Sequence, residues 1–200
     1  MKASLQGIQA GSIRLSRLVE DFISLAELKT GEAEIAYQLR ATRINDIGYL
    51  LYEAGLFGSQ MTAPKSLELV CPLLHDLPPV QGDRVMLMES LRRLLELGLS
   101  YYKQPVSGRI AYSVAQTEKE VQLVLDFPFQ LSAAEVAAME GALEQDETND
   151  LAVDRPPGLS IVQGYMGLHN GRLQFDQTAD SFTFRLVLPI ALLPQPESGL

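Results

Sequence analysis

The stretch Gly158–Ile190, GLSIVQGYMGLHNGRLQFDQTADSFTFRLVLPI, decides the fold. Leu159, Ile161, Val162, Tyr165, Met166 and Leu168 recur at helical spacing behind an opening glycine, so this part predicts a helix. Asn170-Gly171 then ends it, because both residues tolerate positive φ. The runs Leu173–Phe175 and Phe182–Leu188 predict two strands, joined as a hairpin across the turn-rich Gln177–Ser181.

Working back from this stretch, Ser132-Ala133-Ala134-Glu135 is a capping box, whose Ser and Glu each satisfy a free amide at the start of a helix reaching about Leu143. Ile110–Ala115 and Val121–Phe127 predict strands joined across Gln116–Lys119. A helix over about Asp83–Tyr102 places Val85, Met88, Leu91, Leu95 and Leu99 on one face. Leu77-Pro78-Pro79-Val80 is a stiff connector, since neither proline continues a helix or a central strand. Ser66–Cys71 alternates as a strand, and Ile44–Phe57 predicts a helix with Thr42 as its N-cap. The result is a two-layer α/β order.

Residues 1–30 predict one long amphipathic helix. Ile8, Leu15 and Phe22 recur every seven residues, as do Leu18 and Leu25, forming an a/d seam. Lys29 suits the last turn and Gly31 the C-cap. With nothing long and local for this helix to pack against, the seam predicts a homodimer through Ile8, Leu15, Leu18, Phe22 and Leu25. The expected organisation is a helix over 1–31, an α/β domain over 32–190 and a Pro/Glu/Ser tail over 191–200.

Composition narrows the function. The chain is 46% hydrophobic, with 15 Gly and 11 Pro, which suits one globular domain with an appendage. No apolar stretch approaches the roughly 18–20 residues needed to span a bilayer, and the N-terminus carries no signal-peptide core. A single cysteine, Cys71, excludes an internal disulfide framework and a Cys-based zinc site, and points to the cytoplasm. A net charge of −9 disfavours nucleic acid as a partner. Glu144, Asp146, Glu147, Asp150 and Asp154 form an acidic run that reads as a solvated loop; they lack the spacing of a calcium loop, and no metal site is expected.

The sequence from Gly158 to Ile190 resembles the second glycine box and final hairpin of the histidine-kinase ATPase domain, a member of the GHKL superfamily. Arg17–Ile35, RLVEDFISLAELKTGEAEI, resembles the second helix of the kinase dimerisation hairpin running into its linker. The resemblance covers nearly all of residues 12–190. It implies a two-layer α/β sandwich of the Bergerat type with an N-terminal dimerisation helix, and helices on one face of the sheet.

The resemblance also implies where nucleotide chemistry would lie. Leu94–Tyr101 aligns with the family's L-L-x-N-A-x-K-Y, so the Mg²⁺-ligand position is Leu97, which has no oxygen to offer. Arg93 replaces another common Asn one turn earlier. Asp126 aligns with the adenine-binding Asp of D-x-G-x-G, but Pro128 and Gln130 stand where its glycines belong. In the second glycine box only Gly158 remains, behind Pro156-Pro157, and proline donates no amide. Neither His75 nor His169 lies on the N-terminal helix, where an acceptor histidine would be needed. The losses all fall on nucleotide chemistry, whereas the caps and apolar positions persist. The expectation is a degenerate, non-catalytic module of two-component signalling with no cofactor, whose partner is a receiver domain or a histidine kinase. The alternative is an ATP- and Mg²⁺-binding kinase domain with atypical ligands: Asp126, Arg93 and the acidic loop. An anti-sigma-factor-like switch ranks last, because such proteins keep the Asn and the glycines.

Overall fold

The computed structural model describes residues 2–63, 67–103, 108–144 and 156–191, with side chains from residue 11 onward except 13 and 14. Most of the acidic run (Asp146–Asp154), Arg155, and the tail beyond Ala191 lie outside these residues. In chain order the elements are α1 (Lys2–Thr30), α2 (Glu32–Arg40), β1 (Thr42–Ile44), α3 (Ile47–Thr62), β2 (Leu67–Val70) and β3 (Val80–Gly82). Then come α4 (Arg84–Ser100), β4 (Gly108–Gln116), β5 (Glu120–Phe127), α5 (Ala133–Glu144), α6 (Pro157–Leu168), β6 (Arg172–Gln177) and β7 (Phe182–Pro189).

Strands β2-β4-β5-β7-β6 form a five-stranded sheet, parallel between β2 and β4 and antiparallel elsewhere, and β1 pairs with β3 in a separate two-stranded ribbon. Alternation along the strands sends Ile110 and Tyr112, then Val121, Leu123, Leu125 and Phe127, then Phe182, Phe184, Leu186 and Leu188 into one core. Helices α3 to α6 close that core with Leu50, Leu91, Leu94, Met139, Val162 and Met166. The architecture is therefore two layers, with the core helices on a single sheet face.

Local chemistry explains the element ends. Ser132 and Glu135 make the predicted capping box: the Ser132 amide donates to Glu135 Oε2 at 2.7 Å and the Glu135 amide to Ser132 Oγ at 3.4 Å. At the end of α6, Asn170 takes φ +51°, the Asn170 amide donates to Gly167 O at 3.0 Å and the Gly171 amide to Met166 O at 2.8 Å, a Schellman stop. Helix α4 is capped by Asp83, whose carboxylate accepts from the amides of Val85 (2.8 Å) and Met86 (3.4 Å). Helix α3 starts later than expected. Its cap is Asp46, accepting from the Tyr49 amide at 2.9 Å, while Thr42 opens β1.

Two further differences concern the N-terminal third. The chain does not leave α1 for a loop. Gly31 takes φ +81° and turns it at once into α2, whose sequence EAEIAYQLR is rich in helix formers. Helix α1 also has a local packing partner. A β-carbon on Gly164 of α6 would lie 2.8 Å from Leu28 Cδ1, so the glycine makes room for Leu28. Leu25 and Leu28 join a second cluster built on Ala33, Met86, Ile161 and Tyr165. Among the described residues no helix is long and apolar enough to cross a membrane.

Candidate functional site

The positions at which nucleotide chemistry was expected come from β5, α4 and α6. The structure separates them. Along β5 the buried residues are Val121, Leu123, Leu125 and Phe127, so Asp126 points to the opposite face of the sheet. There it sits across from Thr183 of β7 and accepts the Thr183 hydroxyl at 2.8 Å. Placing Asp126 with Arg93, Leu97 and Gly158 therefore needs correcting: strand parity turns it away from α4.

The residue that β5 does present to α4 is Phe127. It is fully buried, and its ring lies over Gly98, where a β-carbon would come within 2.0 Å of Phe127 Cζ. The ring stacks on Phe182 at 4.6 Å and 7°, and meets Phe129 and Phe184 edge-on at 5.9 and 6.1 Å. The space between the end of β5 and α4 is thus filled with aromatic carbon beside Gly98. Gly98, in the middle of a helix, is the one position in that turn small enough to admit the ring.

Arg93, Leu97 and Gly158 do meet. They line a cleft of about 190 Å³ together with Arg17, Glu20 and Asp21 of α1. A β-carbon at Gly158 would stand 3.9 Å from Arg93 Cβ, an ordinary contact, so no steric demand requires glycine there. Pro156 and Pro157 precede it and leave few free amides at the start of α6. Arg93 is only 6% exposed. Its guanidinium is ion-paired to Asp21, and its Nε stands 2.8 Å from Glu89 Oε1 without the alignment of a hydrogen bond. Arg17 adds a pair to Glu96 at 3.2 Å. Burial alone would raise the Glu89 carboxyl, but hydrogen bonds and charge from Arg92, together with the charge of Arg93, hold it below the usual range. Arg93 is occupied by the N-terminal helix.

A further polar centre was not foreseen as one. His169, at the end of α6, is buried, with Nδ1 2.6 Å from Tyr165 O and Nε2 accepting the Asp83 amide at 3.1 Å. Asp83 pairs with Arg40 of α2 at 2.8 Å, and Tyr37 of α2 packs edge-on to the imidazole at 4.8 Å. The centre ties α2, α4 and α6 together, and its imidazole and Asp83 carboxylate are buried, which suits a structural role. His75 is exposed in the loop after β2. Among the described residues no group of three His, Cys, Asp or Glu side chains could hold a metal ion.

On α1, Leu15, Leu18 and Phe22 are 65%, 54% and 73% exposed, and Val19 and Ile23 extend the same apolar stripe. Leu25 departs from the seam: it packs on the chain's own second cluster. Ile8 lies outside the described side chains.

No family model and no curated sequence matches the chain. Solved structures do. The Acinetobacter baumannii histidine kinase AdeS superposes with a TM-score of 0.58 at 16% identity, over 88% of this chain and 78% of that one. The catalytic domain of histidine kinase ThkA gives 0.57 at 16% identity, over 75% and 95%. Full-length ShkA in complex with AMPPNP gives 0.56 at 16% identity, over 76% of this chain and 32% of that one. The described α/β sandwich and these superpositions agree: this chain has the fold of a histidine-kinase C-terminal ATPase-type domain.

Proposed function

We propose that this chain is a non-catalytic, histidine-kinase-like module of two-component signalling that acts in the cytoplasm by binding a partner. The observation that carries this reading is the Phe127 ring seated on Gly98, so that aromatic carbon stands between the end of β5 and α4. Leu97 offers no oxygen to a hard cation, Asp126 faces away, and Arg93 is held by Asp21. The outward stripe of α1 supports a homodimer, and a receiver domain or a histidine kinase is the further partner that the fold suggests.

The test is a titration with a fluorescent ATP analogue, with and without Mg²⁺. No saturable binding is expected in either case. Micromolar, Mg²⁺-dependent affinity would sink this reading in favour of an ATP-binding kinase domain with atypical ligands.

A further inference from the structure

A groove of about 690 Å³ runs between α1, α3 and α4 and adjoins the cleft beside Leu97, with which it shares Glu20, Arg92 and Arg93. Ile23, Phe57, Val85 and Met88 give it an apolar floor. Ile23, Phe57 and Val85 are 50%, 50% and 60% exposed, a concentration of apolar surface that marks a contact site. The rim is charged, and its charges do not cancel. Each of the four arginines has a carboxylate within the chain: Arg40 has Asp83, Arg84 has Glu53, Arg92 has Glu89 and Arg93 has Asp21. Glu20 and Glu27 of α1 are left over, with no ion pair among the described residues. An occupant that is only apolar would take both carboxylates out of water and give them nothing in return.

We propose that this groove receives an amphipathic helix of another protein, apolar along one face and carrying Lys or Arg beside that face. This rests on the reading above that the module acts by binding a partner, and it adds the surface and the chemistry of the contact. Glu20 and Glu27 are seven residues apart, so they leave α1 on the same side, about 10 Å apart along its axis. The facing wall of α4, Arg84 to Leu95, runs for about 16 Å, roughly three turns. A helix laid between these walls turns apolar residues at i, i+3, i+4 and i+7 onto the floor. Cations at i and i+7 of that helix meet Glu20 and Glu27 together, because both pairs share one repeat. A neutral helix covers the same floor but leaves both carboxylates unanswered. An acidic one is repelled by them and by a chain already at −9.

Fluorescence anisotropy on the full chain tests this, with a labelled peptide of roughly 18 residues that has leucine at heptad positions a and d and lysine at e and g. Saturable binding in the micromolar range is expected at physiological salt. Glu20→Gln combined with Glu27→Gln should weaken it at least roughly tenfold. Glu118→Gln combined with Glu140→Gln, at exposed positions in the β4–β5 turn and on α5, removes the same charge and should leave affinity within about twofold. Phe57→Ser should weaken binding at least roughly fivefold by thinning the floor. On the wild-type chain, a benzophenone in place of a central leucine should cross-link to the α3 or α4 wall, as located by mass spectrometry, an arm that needs no variant. Absence of saturable binding would overturn the proposal. So would equal binding of a leucine/glutamate counterpart, equal losses in the two glutamine pairs, or cross-links outside the groove. Self-association of the chain that is lost in Phe57→Ser, seen by sedimentation velocity, would overturn it in favour of a second copy. The ATP titration uses neither the peptide nor these variants, so either result can fail without the other.

Discussion

Gly98 and Phe127 form a size-exchanged pair. In Gly98→Ala the new methyl would stand on the ring, whose stacking on Phe182 leaves it little room to retreat. Urea denaturation should show a loss of about 1–3 kcal/mol, although alanine is the better helix former. Adding Phe127→Leu should return part of it, a coupling that independent sites would not show. Gly158→Ala makes the contrast: its β-carbon meets only Arg93 Cβ at 3.9 Å, so stability should hold or rise by up to about 1 kcal/mol. His169 sets a pH dependence. Burial holds its pKa below the ordinary value of 6.5, against the pull of Tyr165 O and the Asp83 charge. The unfolded chain therefore takes up the proton first, so stability is full above pH 6.5 and falls as pH drops below it. In His169→Gln the urea midpoint should be lower overall but nearly flat between about pH 7 and 5.5, the window above the ordinary carboxylate range.

At the level of elements, how α1 is held can be tested directly. Asp21→Ala removes one carboxylate from a buried guanidinium, and Glu89 remains to share the load. The cost should be about 1–3 kcal/mol, felt mainly as faster amide exchange in the second half of α1 while β5 and β7 stay protected. Why some elements were legible in the sequence and others were not follows from the range of the signal. The capping box at Ser132, the stop at Asn170 and the closing hairpin are local devices, and each is where the residues place it. Asp126 illustrates the opposite case. Matching letters to a motif puts it in the site, yet the alternation Val121-Leu123-Leu125-Phe127 already assigns it to the other face. Shifting by one residue along a strand exchanges the faces. The hold on α1 was invisible for another reason: Leu28 meets Gly164 and Asp21 meets Arg93 only once the sheet has brought α4 and α6 together.

For the whole molecule, the fold was readable because its apolar framework is intact, whereas the site was readable only by what it lacks. The sequence marks Leu97 and the proline pair as losses. That an aromatic stack lies beside Gly98 comes from the packing of β5 and β7 on α4. This has a pharmacological consequence. On the reading proposed above, a compound that competes for adenine must first expel Phe127 from its seat, giving up burial worth about 3–5 kcal/mol. At 1.4 kcal/mol per decade, that removes roughly two to four powers of ten from its affinity. On that same reading, inhibitor panels directed at the ATP pocket of kinases with this fold should therefore pass over this protein.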